Sequence, residues 1–194
     1  MNVNVMQIKG NWDLGYVLDW HVESSEFLGH NQFGRAEFDT KRTEIGEAIF
    51  KLKYRHDLTK IEPLADTMVL NLKSAFQTVS FIVPMPPSKS RGTQPAVELA
   101  RKVAEKMALP LLENILLKRG TTAQMKDIDT KEERINALMG CFHLNDGITN
   151  TGSWDVLIID DLYSSGASLS AATQVLRSYQ KVSKIFVAAF SRTK

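Results

Sequence analysis

Residues 154–169 read WDVLIIDDLYSSGASL, and this stretch decides the fold. Four apolar residues, Val156, Leu157, Ile158 and Ile159, run without alternation into two acids, Asp160 and Asp161. An unbroken run of branched apolar residues suits a strand buried on both faces of a parallel sheet. The acids then fall at its carboxyl end, where open α/β sheets bind ligands. Ser164, Ser165, Gly166, Ala167 and Ser168 follow as a small-residue turn into a helical apolar pattern. Such a turn offers free backbone N–H groups and the positive end of a helix dipole, which together bind phosphate. Carboxylates beside a phosphate cradle point to a sugar phosphate whose hydroxyls donate to the acids.

A second anion site is readable upstream. Residues 79–84 (VSFIVP) form a short apolar strand, followed by Met85, Pro86, Pro87, Ser88, Lys89, Ser90, Arg91, Gly92 and Thr93. The prolines fix an extended entry to the turn. Lys89 and Arg91 make the turn basic, and residues 94–107 carry a helical apolar stripe. A strand thus leads through a basic, glycine-containing loop to a helix N-terminus. Two rival nucleotide motifs are absent: neither G-x-x-x-x-G-K-[ST] nor G-x-G-x-x-G occurs.

The strand, the paired acids, two apolar residues and the Ser/Gly turn resemble the PRPP-binding motif of type I phosphoribosyltransferases. The Pro-rich basic turn, with Arg91-Gly92 and then Glu98-Leu99-Ala100, is similar to the ComF-like branch of that family. So is the order Gln124, Arg134-x-Asn136, Gly140-x-Phe142. The resemblance spans residues 79–191. It implies an α/β fold of the type I phosphoribosyltransferase kind: a mostly parallel sheet flanked by helices, a flexible hood, and here an N-terminal β-hairpin and helical extension.

The resemblance also implies roles. Asp160 and Asp161 would hold the ribose 2′- and 3′-hydroxyls, and Mg²⁺ indirectly through water. Ser164 to Ser168 would cradle the 5′-phosphate. Ser88, Lys89, Arg91 and Gly92 would meet the pyrophosphate. Arg119, Lys126 and Arg134 would approach from the hood. The implied function is transfer of a phosphoribosyl group from PRPP to a nitrogen acceptor, with release of pyrophosphate. The alternative is a non-catalytic PRPP or nucleotide sensor, or an accessory protein that binds a protein or nucleic-acid partner. The acceptor is not identified, and a homodimer is the family's expectation. Many ComF-like proteins carry an N-terminal four-cysteine zinc ribbon, and this chain has one cysteine, Cys141.

The rest of the chain bounds these readings. At 194 residues, with 43% hydrophobic content, one core with an appended layer is expected. We divide it into an extension over residues 1–76 and a core over residues 77–194. A net charge of +2 gives no argument for nucleic acid or a membrane surface. One cysteine excludes a disulfide framework within the chain. No apolar run reaches about 18 residues, so no spanning helix is expected. The first ten residues lack a signal-peptide pattern, which leaves a cytoplasmic setting. Residues 15–23 alternate as a half-buried strand, and the segment to residue 40 reads as turns with a hairpin near Phe33 to Phe38. Helices are expected over residues 43–54 and 58–76. Lys51, Lys53, Arg55 and His56 make the end of the first one basic, which suits a helix C-terminus. Thr130 with Glu133 forms a capping box for a further helix.

Overall fold

The computed structural model describes residues 1–87, 94–119 and 130–193. Its centre is a five-stranded sheet. The strands are β1 (Met6–Gln7), β2 (Leu14–Trp20), β5 (Val79–Pro84), β8 (Trp154–Tyr163) and β9 (Val182–Arg192), in the spatial order β1-β2-β9-β8-β5. Only β1 is antiparallel to its neighbour; β2, β9, β8 and β5 are mutually parallel. Among the described residues two antiparallel pairs lie outside this sheet: the hairpin of β3 (Val22–His30) with β4 (Ala36–Arg42), and β6 (Leu116–Lys118) with β7 (Phe142–Leu144), which α4 separates in sequence.

Helices cover both faces, which explains why β8 reads as continuous apolar sequence. Val156 and Ile158 pack with α5 (Ala167–Arg177) and with Leu138 of α4 (Lys131–Met139). Leu157 and Ile159 pack on the opposite face against α1 (Glu44–Arg55), α2 (Ile61–Leu72) and α3 (Pro95–Met107). The chain leaves β5 by α3 on one face and leaves β8 by α5 on the other. Adjacent strands whose helices depart on opposite faces open a crevice at their carboxyl ends.

Two local expectations change. The strand read over residues 15–23 is two elements: β2 stops at Trp20 and β3 starts at Val22. Between them the His21 N–H donates to the Arg192 carbonyl (2.7 Å), and the chain then turns away from the sheet. The helix read over residues 58–76 is α2 flanked by two short 3-10 segments, Leu58–Lys60 and Lys73–Phe76. Residues 1–76 supply the hairpin, α1 and α2, and they also place β2 inside the central sheet.

The start of α1 is docked on the end of β2. Thr43 caps the helix by accepting from the Gly46 N–H (2.9 Å), and its hydroxyl donates to the Trp20 carbonyl (2.5 Å). A Cβ on Gly46 would lie 1.9 Å from the His21 carbonyl oxygen, so only glycine permits this approach.

Candidate functional site

Strand β8 outruns its neighbour. β5 ends at Pro84, which pairs with Ile159, while β8 continues to Tyr163. Pro86 and Pro87 follow on the β5 side and have no N–H to extend the ladder. Asp160 and Asp161 therefore stand just past the end of β5, on the crevice. Asp160 is half-buried and Asp161 is buried, with 8% of its surface exposed.

The two acids differ in their partners. Asp160 Oδ1 accepts from the Asp161 backbone N–H (2.9 Å). Asp161 Oδ2 accepts from Lys53 Nζ of α1 (2.8 Å). Burial, followed by the neighbouring Asp161 charge, holds the Asp160 carboxyl well above the usual carboxylate range.

The turn after β8 has the geometry of an anion cradle. Gly166 adopts φ +77°, the left-handed region, and stands at the N-cap of α5. A Cβ there would sit 2.8 Å from the Tyr163 hydroxyl, so glycine is required twice over, for backbone and for space. Gly166 has no side chain to cap the helix; Ser165 Oγ accepts from the Ala167 N–H (3.4 Å), and the remaining N–H groups of a first helical turn have no partner within the helix. A cavity of about 70 Å³ lies at this point, lined by Asp160, Leu162 and the residues from Tyr163 to Leu169.

A larger cavity of about 270 Å³ adjoins it and shares Asp160 and Ser168. Asp161, Met85, Pro86 and Pro87 form one part of its wall, and Gln94 to Val97 at the start of α3 form another. Lys53 and Lys118 complete it. The start of α3 has no side-chain cap either. Burial pushes the Lys118 ammonium down from its ordinary value, against the pull of Cys141 and Asp160.

The structure thus brings together Asp160, Asp161 and the whole of Ser164 to Ser168. Ser88, Lys89, Arg91, Gly92 and Lys126 lie outside the described residues. Arg119 is exposed at the end of β6, where its N–H donates to the Cys141 carbonyl (2.8 Å). Arg134 is half-buried on α4. Neither lines the two cavities. Sequence reasoning missed Lys53 and Lys118. In the sequence Lys53 is one of several cations that suit a helix C-terminus, and only its helical phase beside Ile49 and Leu52 hints at an inward position. Lys118 directly precedes Arg119, and the end of a three-residue strand carries no periodic signal.

Among the described residues no three His, Cys, Asp or Glu side chains converge on one point. No described helix is long and apolar enough to cross a membrane.

No family model and no curated protein matches the chain. Solved structures do match. Adenine phosphoribosyltransferase from Saccharomyces cerevisiae, complexed with D-2,5-dideoxy-2,5-imino-altritol 1,6-bisphosphate and adenine, is 14% identical. Its TM-score is 0.50, over 88% of this chain and 83% of that one. Adenine phosphoribosyltransferase from Trypanosoma brucei, in complex with AMP, pyrophosphate and ribose-5-phosphate, is also 14% identical. Its TM-score is 0.50, over 97% of this chain and 74% of that one. At such identity the likeness establishes the fold: a mostly parallel sheet flanked by helices, as in type I phosphoribosyltransferases.

Proposed function

We propose that the chain binds PRPP and transfers its phosphoribosyl group to a nitrogen acceptor, releasing pyrophosphate. One observation carries this reading. Asp160 lines two adjoining cavities and Asp161 lines the larger of them, and each cavity opens on a helix start, of α5 in one and α3 in the other. PRPP has the matching order of groups: phosphate, diol, pyrophosphate.

In this reading the α5 start and the hydroxyls of Ser164, Ser165 and Ser168 take the 5′-phosphate. Asp160 and Asp161 accept from the ribose hydroxyls and fix the ring. The α3 start, Lys118 and the basic turn of Ser88, Lys89, Arg91 and Gly92 face the pyrophosphate. The acceptor nitrogen forms a bond to ribose C1 as the bond from C1 to the pyrophosphate oxygen breaks, its electron pair leaving with pyrophosphate. The protein's part is positioning and stabilisation of developing charge. Bound Mg²⁺, held through water by Asp160 and Asp161, would add charge neutralisation at the leaving group.

Residues 77–194 then carry the phosphate and pyrophosphate contacts, and residues 1–76 form an extension that adds β2 and Lys53. A homodimer, a cytoplasmic setting and a place in the ComF-like branch belong to the same proposal. The motif order through Arg134-x-Asn136 and Gly140-x-Phe142 supports that placement.

Calorimetric titration with PRPP and Mg²⁺ is the test. Saturable binding by the wild type, weakened at least about tenfold in Asp160→Asn and Asp161→Asn, is expected. Absence of saturable heat sinks the reading. A second reading, a PRPP sensor with a protein partner, is favoured by one feature. Hairpin β3–β4 exposes Phe27, Leu28, Phe33 and Phe38. PRPP binding without pyrophosphate release, across a panel of bases and amines, would select it.

A further inference from the structure

We propose that Lys53 is a positioning residue of the donor site, holding the Asp161 carboxylate in the orientation that receives a ribose hydroxyl. This rests on the PRPP reading above and extends the site to α1, 108 residues away in sequence from Asp161.

The geometry separates Lys53 from the other cations of its helix. Lys51 pairs with Glu47 in the same helix (3.4 Å), and Arg55 is exposed. Lys53 instead lies at the edge of the buried stripe made by Ile45, Ile49 and Leu52. From that edge its ammonium reaches Asp161 Oδ2 (2.8 Å). Exposed ion pairs contribute little, but here the side chains are 26% and 11% exposed. An ammonium has three donors and no acceptor. One is used on Asp161 Oδ2, and both residues line the larger cavity. The Asp161 oxygen not named in that bond is then the one that receives the sugar.

A charge argument points the same way. The site must admit a polyanion beside two acids. Lys53 matches Asp161 directly, and Lys118 lines the same cavity as Asp160.

The test uses the full chain and three probes: PRPP, ribose 5-phosphate, which keeps the diol, and inorganic pyrophosphate, which lacks it. Binding is measured by calorimetry with Mg²⁺ for wild type, Lys53→Met, Lys53→Gln, Lys53→Arg, Asp161→Asn and the double variant Lys53→Met/Asp161→Asn. Expected for Met and Gln is a loss of about ten- to a hundredfold for both sugar ligands, the size of one charge-assisted hydrogen bond. Pyrophosphate affinity should change less than about threefold, since it does not call on the oriented carboxylate. Arginine should restore part of the loss. The double variant should bind no worse than Asp161→Asn alone, because Lys53 acts through that carboxylate.

Wild-type-like binding of ribose 5-phosphate by both neutral variants overturns the inference. So does an equal loss for pyrophosphate, or a double variant that loses the sum of both single losses. A wild type that binds neither sugar ligand overturns the PRPP reading itself, and with it this inference. Thermal melts of each variant separate loss of fold from loss of contact.

Discussion

Strands β2 and β3 are joined by one residue, His21, and their environments are opposite. β2 has residues Gly15, Val17, Leu18 and Asp19 buried, lies parallel to β9, and is covered on both faces. β3 exposes Ser24 to Leu28 and, among the described residues, pairs only with β4. On the hairpin, Phe27 and Phe38 stand opposite each other with ring centroids 5.5 Å apart, yet each is 55% exposed. The difference teaches that apolar residues in strands report a local preference and not a location. Leu18 and Phe27 are both apolar strand residues, and only packing partners distant in sequence decide that one is core.

The largest effect should come from the buried side. Leu18→Ala removes a fully buried side chain between the sheet and the helix layer. It should cost about 3 kcal/mol in urea denaturation. A cost under about 1 kcal/mol would break the contrast between the two strands.

Next comes the rim of the same sheet. Gly166→Ala forces a Cβ into the left-handed region and against the Tyr163 hydroxyl. About 1–2 kcal/mol of stability should be lost, together with most PRPP affinity. Unchanged affinity would mean that the α5 start is not the phosphate cradle.

The hairpin should respond least to truncation. Phe27→Ser with Phe38→Ser should cost about 1 kcal/mol or less, the size of one exposed cross-strand pair. PRPP binding should be unaltered, because the hairpin lines neither cavity. A loss above about 2 kcal/mol would show that the hairpin is covered in solution.

The smallest effect is set by pH at the junction. Burial, then the nearby Arg42 and Lys53 charges, lowers the His21 pKa from its ordinary 6.5, and its Nδ1 lies 3.0 Å from Ser191 Oγ. Below pH 6.5 the unfolded chain takes up a proton that the folded chain refuses. Stability should therefore fall as pH drops from 6.5 towards the folded value. Melting temperatures of wild type and His21→Asn between about pH 5 and 7 check this, and parallel curves would refute it.

The legible part of the site is the part contiguous in sequence. Val156 to Ile159, the acids and the Ser164–Ser168 turn form one strand-to-helix unit whose residues place each other. Lys53 and Lys118 belong to elements brought in by packing, and no spacing rule reaches across 108 residues to join Lys53 to Asp161. The same holds for β2. Its alternation predicted one polar face, but pairing with β9 and cover from both layers bury Asp19 beside Leu18. The capping box at Thr130 and Glu133 was readable because both partners lie within one turn.

Gly46 turns α1 into a gauge. The helix is clamped at Gly46, where the His21 carbonyl leaves no room for a side chain. It delivers Lys53 seven residues later. Seven residues span about 10 Å of helix and nearly two full turns, so Gly46 and Lys53 lie on one side of α1. One residue inserted between the clamp and Lys53 would swing the ammonium by about 100° around the helix axis and leave Asp161 without it. The spacing from Gly46 to Lys53 is thus a dimension of the site, set outside the acidic motif.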